Sequence, residues 1–302
     1  MSRAVEVEVE GRALRLSNLD KVLYPETGFT KAQVIDYYTR VAPVLLPHLR
    51  GRPLTLKRYP NGVDGKFFYE KECPSHRPDW VQTASIPIRT DGRRVNFCLA
   101  EDLPTLVWTS NLADLELHTS MARAAEITRP TMMVFDLDPG APAAVLECAR
   151  VAVALRDLLT PLGVESWVKT SGSKGLQVYV PLNVETTYEQ TKPFALAVAQ
   201  LLEREHPGLV VSRMRKKLRQ GKVFVDWSQN DEHKTTVCVY SLRAKAHPMV
   251  STPLAWGELE QALAAEDPDL LAFDWEAALA RVAEHGDLFS AVLDTEQRLP
   301  AL

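Results

Sequence analysis

Valine and glutamate alternate from residue 5 to residue 10, so the chain begins with a polar/apolar period of two. This pattern predicts an edge strand that turns at Gly11, followed by a second strand through Leu14 and Leu16. After Thr30 the period becomes helical. Thr30 and Gln33 have the spacing of a capping box, and the apolar positions 34, 37, 38, 41 and 45 share one helix face, which predicts a helix to about Pro47.

Further along, the pattern divides the chain into two parts. Strand-like runs at 54–58, 67–71 and 81–88 and a mixed apolar stretch at 103–117 indicate an α+β half. The second half predicts strands at 132–136, 166–169, 176–181, 223–227 and 235–240, with helices at 143–159, 188–205, about 256–265 and about 274–284. We therefore expect an N-terminal portion at 1–125 and a catalytic core at 126–302, the two halves sharing one cleft.

Composition narrows the class of protein. With 302 residues and 46% hydrophobic content, the chain can bury a sizeable core, which excludes disorder as its main state. A net charge of -4 excludes a globally basic surface, so any surface for DNA is local. No apolar run approaches the ~20 residues that span a bilayer, so we expect no membrane association and a cytoplasmic location.

The cysteines give no sign of a metal or disulfide framework. Cys73, Cys98, Cys148 and Cys238 are widely spaced and form no Cys-x-x-Cys pair, which favours free thiols in a reducing compartment. Cys73 with His76 resembles half of a zinc site, but no second pair at ligand spacing completes it.

Acidic residues at the ends of two apolar runs are the first candidate chemistry. In MMVFDLDP, Asp136 and Asp138 are two apart, so a strand points both to one face. Two divalent ions would relieve their repulsion and serve a phosphoryl transfer, with Asp226 of KVFVDW as the third ligand. A simple strand-to-turn Asp is the plain alternative. A haloacid-dehalogenase-type phosphatase is the rival, although that family places its motif near the N-terminus.

A glycine-rich turn and a basic run indicate a phosphate site. The segment TSGSKG joins two predicted strands with small residues, hydroxyls and Lys174, which suits a polyphosphate, although a plain hairpin is the commoner reading. The segment RMRKKLRQGK, from Arg213 to Lys222, has six cations and no acid and leads into the Asp226 strand. Lys234 and Arg243 flank a further strand and could reach the same cleft.

Together these motifs resemble a known family. The order of DKVLYP, KRYPNG, FFYEK, DLDP, SGSKGL, GKVFVDWSQN, KTT and YSLR is similar to the polymerase domain of bacterial ligase D, of the archaeo-eukaryotic primase superfamily. The resemblance extends from Asn18 to the terminal helices. It implies an α+β, primase-like fold whose catalytic core has a mixed or antiparallel sheet flanked by helices.

The resemblance also implies roles for individual positions. Metal ligands are expected at Asp136, Asp138 and Asp226, and nucleotide contacts at Lys57, His118, Ser171, Lys174, Gly175, Arg219 and Arg243. Phe67 and Phe68 match an aromatic pair that stacks on a base, with core packing as the alternative, and we expect one of the two to face inward. Contacts to a downstream 5'-phosphate are expected at Asn18, Lys21 and Lys31.

One position departs from the family pattern. Where the family usually has Gly-Leu-His, this chain has Gly175-Leu176-Gln177. Glutamine can donate to a phosphate but carries no charge, so we expect Gln177 to contact the nucleotide with altered affinity or metal preference.

The function implied is template-dependent nucleotidyl transfer onto DNA ends or gaps, in non-homologous end joining or gap filling. The resemblance implies two Mn²⁺ or Mg²⁺ ions, nucleoside triphosphate substrates with a preference for ribonucleotides, and DNA with a 5'-phosphorylated end or gap. Ku and a DNA ligase are the implied protein partners, at the nucleoid. A DNA-end-binding module that has lost catalysis is the alternative from another class.

Overall fold

The chain folds into two compact units, each built from separate stretches of sequence. The structure, a computed structural model, describes residues 4–87 and 92–300. The first unit comprises 1–125, 235–250 and 273–287, and the second comprises 126–234, 251–272 and 288–302. Two stretches of the predicted C-terminal half thus pack in the first unit, and the shared cleft stays a prediction.

Strands and helices alternate throughout. The strands in chain order are β1 (Val5–Val9), β2 (Arg12–Leu16), β3 (Val22–Tyr24), β4 (Phe29–Thr30), β5 (Leu54–Arg58), β6 (Phe68–Glu70), β7 (Thr83–Pro87), β8 (Arg94–Cys98), β9 (Asp114–Thr119), β10 (Met132–Pro139), β11 (Trp167–Thr170), β12 (Leu176–Pro181), β13 (Val210–Val211), β14 (Val223–Asp226), β15 (Thr236–Val237), β16 (Leu242–Ala244), β17 (Pro248–Val250) and β18 (Pro253–Leu254). The α-helices are α1 (Lys31–Leu49), α2 (Leu103–Asn111), α3 (Val145–Leu159), α4 (Tyr188–Glu205), α5 (Trp256–Ala265), α6 (Trp275–His285) and α7 (Ala291–Asp294). Short 3-10 helices cover Ala124–Glu126, Thr160–Leu162, Lys216–Leu218, Trp227–Gln229 and Pro268–Leu271.

The first unit is organised around a sheet with the strand order β15-β9-β5-β8-β7, and β6 pairs with the free edge of β5's C-terminal part. Helix α1 begins at the predicted capping box, where the Thr30 hydroxyl and the Gln33 side chain cap each other's backbone groups. Its apolar face, including Tyr37, Tyr38 and Leu45, is fully buried. This burial fixes the helix and the strand ends that carry the polar residues described below.

The second unit contains a mixed sheet with the order β13-β14-β10-β12-β11-β18. Strands β13 and β14 run parallel, whereas the other neighbouring pairs are antiparallel. Strand β10 occupies an interior position between β12 and β14, and its first four residues, Met132 to Phe135, are buried. Apolar residues thus continue up to the point at which the first acidic side chain, Asp136, begins.

Most predicted elements are present, with a few differences. The predicted strand at 235–240 was too long, because only Thr236–Val237 pairs with β9 and the buried residues that follow form a turn. The strand predicted at 81–88 is observed as Thr83–Pro87, and Ile88 lies outside the described residues. No helix in the described part of the chain is both long and apolar enough to cross a membrane.

The prediction of four free thiols was wrong for two cysteines. Cys73 and Cys98 form a disulfide across 25 positions of sequence, within an apolar cluster that includes Leu14 and Trp108. The fold brings the two together because the Cys73 amide donates to the carbonyl of Asn96 beside the end of β8. Sequence spacing does not reveal that contact, whereas Cys148 and Cys238 are buried free thiols.

Candidate active site

The three predicted aspartates lie on neighbouring strands of the second unit. Asp136 of β10 and Asp226 of β14 are direct cross-strand partners, and Asp138 follows two positions along β10 on the same face. Asp226 is 9% exposed and Asp138 is exposed. Antiparallel pairing therefore places the end of one apolar run against the end of the other.

The electrostatics of these carboxylates confirm their proximity to one another. Burial, then the charges of Asp138 and Asp226, raises the pKa of Asp136 to about 7. Burial and the charge of Asp226 likewise raise the pKa of Asp138, although Arg219 opposes the rise. Carboxylates that disfavour each other's ionisation are chemically suited to a divalent cation, which would relieve the repulsion.

Carboxylate oxygens are the donors that Mg²⁺ and Mn²⁺ prefer, so the donor chemistry fits a divalent metal. Their present arrangement is looser than a finished site. Within residues 4–87 and 92–300, no group of three or more His, Cys, Asp or Glu side chains is arranged to hold a metal ion. The Asp226 carboxylate instead accepts hydrogen bonds from the Ser228 hydroxyl at 2.6 Å and from the Gln229 amide at 3.0 Å.

The predicted phosphate loop connects β11 to β12 beside these carboxylates. The Ser171 hydroxyl accepts from the backbone amides of Ser173 and Gly175, each at 3.2 Å, which closes the loop on itself. Gly175 is required because a β-carbon there would collide with the carbonyl of Leu137, on the strand between the two aspartates. Lys174 is exposed at the loop tip, where it is available to an anion.

Gln177 lies in an unexpected environment. Its side chain is 3% exposed and its amide nitrogen donates to Asp136 Oδ1 at 3.1 Å, while its oxygen accepts from the Lys169 ammonium at 2.6 Å. The residue that departs from the family pattern therefore contacts a predicted metal ligand. Sequence reasoning missed Lys169, although a lysine inside the apolar run of β11 was a usable signal.

The basic segment between Arg213 and Lys222 surrounds a short 3-10 helix and is mostly exposed. Arg219 is held over the ring of Phe224 at 3.7 Å and donates to the carbonyl of Met214 at 2.8 Å. It is also the cation that opposes the raised pKa of Asp138. The structure thus brings Arg219 beside the carboxylates, while Lys234 is exposed at the end of the same unit.

In the first unit, three predicted nucleotide contacts converge on Glu116, which sequence reasoning did not single out. The carboxylate of Glu116, 2% exposed, lies 2.9 Å from Lys57 Nζ, 3.1 Å from His118 Nε2 and 3.4 Å from Arg243 Nε. Burial alone would raise the pKa of Glu116, but the His118 hydrogen bond and the charges of Arg243 and Lys57 hold it well below its usual range. Burial lowers the pKa of His118 below its ordinary value in spite of Glu116.

Both phenylalanines of the predicted aromatic pair are exposed, so the expectation that one faces inward was wrong. Phe67 is 49% exposed and stacks on Tyr59 with centroids 5.3 Å apart, and Phe68 is 42% exposed beneath the guanidinium of Arg58 at 5.2 Å. Only Phe68 belongs to β6, because the strand begins one residue later than predicted. Tyr69, at 55% exposure, is a further aromatic face that the sequence did not single out.

The predicted 5'-phosphate contacts cluster around the start of α1. Asn18 adopts a left-handed conformation with φ of 54°, and the buried Lys31 donates to the carbonyl of Ser17 at 2.6 Å. Lys21 donates to the side chain of Asn61 at 3.1 Å. Burial, followed by the charges of Lys21 and Arg58, lowers the pKa of Lys31 to about 8, which shows that several cations face one another here.

A mixed sheet with three acidic side chains at strand ends and a glycine-containing loop against them defines the class of a primase-type nucleotidyltransferase. Residues 30–289 match the family model described as LigD, primase-polymerase domain. The chain belongs to this family.

The relatives agree with this assignment. The multifunctional non-homologous end joining DNA repair protein LigD of Mycobacterium tuberculosis is 43% identical over 281 residues, which is 90% of this chain and 36% of that protein. The bifunctional non-homologous end joining protein LigD of Bacillus subtilis is 35% identical over 251 residues, covering 83% of this chain and 40% of the relative. The chain thus spans well under half the length of these curated relatives.

A solved structure of the polymerase domain of Mycobacterium tuberculosis ligase D in complex with DNA matches with a TM-score of 0.85 and 40% identity, covering 93% of this chain and 98% of that one. These findings confirm the predicted family, the primase-like α+β fold and the enzyme class. They also exclude the haloacid-dehalogenase alternative.

Proposed function

We propose that this chain extends DNA ends or fills short gaps by template-dependent nucleotidyl transfer during non-homologous end joining. The observation that carries the proposal is the cross-strand pairing of Asp136 with Asp226 beside a glycine-dependent loop. Acidic side chains and a phosphate-binding loop on adjacent strands are what a polymerase needs for a triphosphate and its metal ions. The LigD relatives and the DNA-bound ligase D polymerase domain support the same activity.

In the second unit, Asp136, Asp138 and Asp226 would hold two Mn²⁺ or Mg²⁺ ions. Bound metal would favour deprotonation of a primer 3'-hydroxyl and neutralise the pyrophosphate that departs. The chain's own groups bind and orient the triphosphate. The Ser171 hydroxyl shapes the loop, Lys174 at its tip is free to meet the phosphates, and Arg219 adds a cation near Asp138.

In the first unit, the Glu116 cluster would hold Lys57, His118 and Arg243 ready for further nucleotide contacts. His118, with its lowered pKa, is neutral near pH 7 and would act as a hydrogen-bond partner rather than as a cation. The exposed faces of Phe67 and Phe68 suit stacking on bases of any sequence. Lys21 and Lys31 would recognise a 5'-phosphate on the downstream strand.

The same proposal extends to substrates and partners. We infer a preference for ribonucleoside triphosphates and action on chromosomal DNA breaks together with Ku and a DNA ligase. The relatives' names, which join end joining and repair in one multifunctional protein, support a partnership with ligase activity.

Primer extension on a gapped duplex with Mn²⁺ tests the activity. Asp226→Asn should abolish extension and leave DNA binding nearly unchanged, because its carboxylate is assigned to metal. Asp231→Asn is the matched control, since Asp231 is a carboxylate of the same unit that pairs with Lys192 at 2.7 Å. Wild-type protein that binds the duplex without extending it under any metal would instead favour the end-binding alternative.

A further inference from the structure

A row of polar residues crosses the sheet of the second unit. Lys169 of β11 is the direct partner of Gln177 of β12, Gln177 is the partner of Asp136 of β10, and Asp136 is the partner of Asp226 of β14. Directly opposed residues of neighbouring strands project from the same face of a sheet. The row therefore leads from a buried cation, through one amide, to two of the proposed metal ligands.

Lys169 is an unusual residue for its position. It is 0% exposed, its ammonium donates to the Ser251 hydroxyl at 2.6 Å and to Gln177 Oε1 at 2.6 Å, and it lies 5.5 Å from the centre of the Tyr179 ring. A fully buried lysine costs free energy unless it is paired or hydrogen-bonded. Its contacts offset that cost, and two of them are fixed in direction.

The direction of each contact follows from donor chemistry. A lysine ammonium has three donors and no acceptor, so the side-chain oxygen of Gln177 must face Lys169. The amide nitrogen is then turned toward Asp136, where it donates to Oδ1 at 3.1 Å. The flipped amide would place NH₂ against an ammonium and oxygen against a carboxylate, which are two repulsive contacts.

We propose that Lys169 is a positioning residue that fixes the side-chain amide of Gln177 and, through it, the orientation of the Asp136 carboxylate toward the metal. The inference rests on the proposed function only in assigning metal to Asp136. It gives Gln177 a role in this chain other than phosphate contact. Ligand carboxylates held by second hydrogen bonds bind metal more tightly than unsupported ones.

The plain alternative is that Lys169 only stabilises the fold. Ser251 separates the two possibilities, because it contacts Lys169 and donates to the carbonyl of Thr170 at 2.8 Å but does not contact Gln177. Ser251→Ala therefore removes a partner of the same ammonium without freeing the amide. It is the matched control for Lys169→Met, which keeps the length of the side chain and removes its donors.

The first experiment measures Mn²⁺ binding to the full chain by titration calorimetry, without DNA or nucleotide, with circular dichroism as the check on folding. Lys169→Met should weaken binding roughly 10- to 100-fold, as for other supporting residues around metal sites. Ser251→Ala should bind Mn²⁺ like the wild type. Lys169→Gln is a second variant in case Lys169→Met does not fold; a neutral amide can both donate and accept, so it does not dictate the orientation and should also weaken binding.

A double-mutant cycle tests the route of the effect. In a Gln177→Leu background, Lys169→Met should cost little further Mn²⁺ affinity, because the amide it acts through is already gone. An equal cost in both backgrounds would overturn the proposal. Wild-type affinity in folded Lys169→Met and Lys169→Gln proteins would overturn it too.

A readout without metal separates this inference from the proposed function. In the metal-free protein, the side-chain NH₂ protons of Gln177, followed by NMR, should exchange slowly in the wild type and in Ser251→Ala and faster in Lys169→Met. Unchanged exchange in Lys169→Met would overturn the positioning role even if the enzyme extends primers. Wild-type protein that neither binds Mn²⁺ nor extends would overturn the proposed function while leaving the exchange result to decide the orientation.

Discussion

Asp136 and Asp226 face each other as direct partners on two antiparallel strands, each at the end of an apolar run. The arrangement is unfavourable for the metal-free protein, because burial and neighbouring carboxylates raise the pKa of Asp136 to about 7. Natural folds keep such like-charge clusters where function requires them and lose some stability in return.

We expect the metal-free protein to lose stability as pH rises from about 4 to about 7. In this window the folded Asp136 still holds a proton that the unfolded chain has released, so the unfolded state gains on the folded state with rising pH. Asp138→Asn removes one repelling charge and should be more stable than the wild type at pH 7.5, by about 1 kcal/mol or less after solvent screening. Thermal unfolding in EDTA at pH 5 and pH 7.5 measures the difference.

The same variant should be inactive in extension, so that stability and activity change in opposite directions. Added Mn²⁺ should raise the unfolding temperature of the wild type and have little effect on Asp138→Asn, since a ligand stabilises only the state that binds it. A variant less stable than the wild type at pH 7.5 would show that Asp138 does not repel its neighbours.

Glu116 is the second group whose removal has a defined consequence. Glu116→Gln leaves Lys57, His118 and Arg243 without their common anion. We expect a loss of about 3 kcal/mol or more in stability, as for other broken buried charge pairs. KM for the nucleotide should rise about tenfold or more, because these side chains lose their fixed positions, while kcat changes less.

Glu72→Gln provides the matched control for that variant. Glu72 is exposed and accepts from the Asn96 side chain at 3.0 Å, outside the Glu116 cluster. It should leave the nucleotide KM unchanged. An equal rise of KM in both variants would mean that Glu116 does not organise the nucleotide contacts.

The sequence was informative wherever a local pattern decides the structure. Alternation predicted β1, the Thr30 and Gln33 pair predicted the start of α1, and an apolar run ending in Asp136 predicted β10. Contacts between distant positions were not predictable. Glu116 gains its importance from residues up to 128 positions away, such as Ala244, whose amide donates to it at 3.0 Å.

The position of Gln177 makes the same point. As a motif residue it was expected to meet the nucleotide, but strand register places it between Lys169 and Asp136. Register depends on the packing of the whole sheet, which one sequence does not show. The disulfide between Cys73 and Cys98 depends likewise on a contact across the fold.

The disulfide leads to a further prediction. Reduction, or Cys98→Ser, should destabilise the protein by about 3 kcal/mol, since the bond restricts a loop of the unfolded chain. Extension activity at 25 °C should persist, because neither cysteine is among the proposed site residues. Unfolding with and without reductant measures the effect, and Cys73→Ser with reductant is the control, which should show no further change. Equal unfolding temperatures of the oxidised and reduced wild type would contradict the prediction.

The last prediction concerns recognition of a 5'-phosphate by Lys21 and Lys31. A terminal phosphate carries close to two negative charges at pH 7 to 9, because its second pKa is about 6. A gapped duplex with a downstream 5'-phosphate should therefore bind more tightly than the same duplex ending in hydroxyl. Lys21→Ala with Lys31→Ala should erase most of the difference, about tenfold or more, if each charge-assisted contact contributes ~1.5 to 3 kcal/mol.

The lowered pKa of Lys31 adds a pH dependence to this preference. At pH 7 Lys31 is charged, but above its pKa of about 8 the free protein releases that proton, so binding a dianion at pH 9 must first restore it. The preference for phosphate over hydroxyl should thus be larger at pH 7 than at pH 9, and Lys31→Ala should flatten this dependence. Fluorescence anisotropy at moderate salt measures both effects. Arg40→Ala with Lys71→Ala removes two exposed cations from the same unit and should leave the preference intact. Equal binding of phosphorylated and unphosphorylated gaps by the wild type would mean that Lys21 and Lys31 do not form a phosphate site.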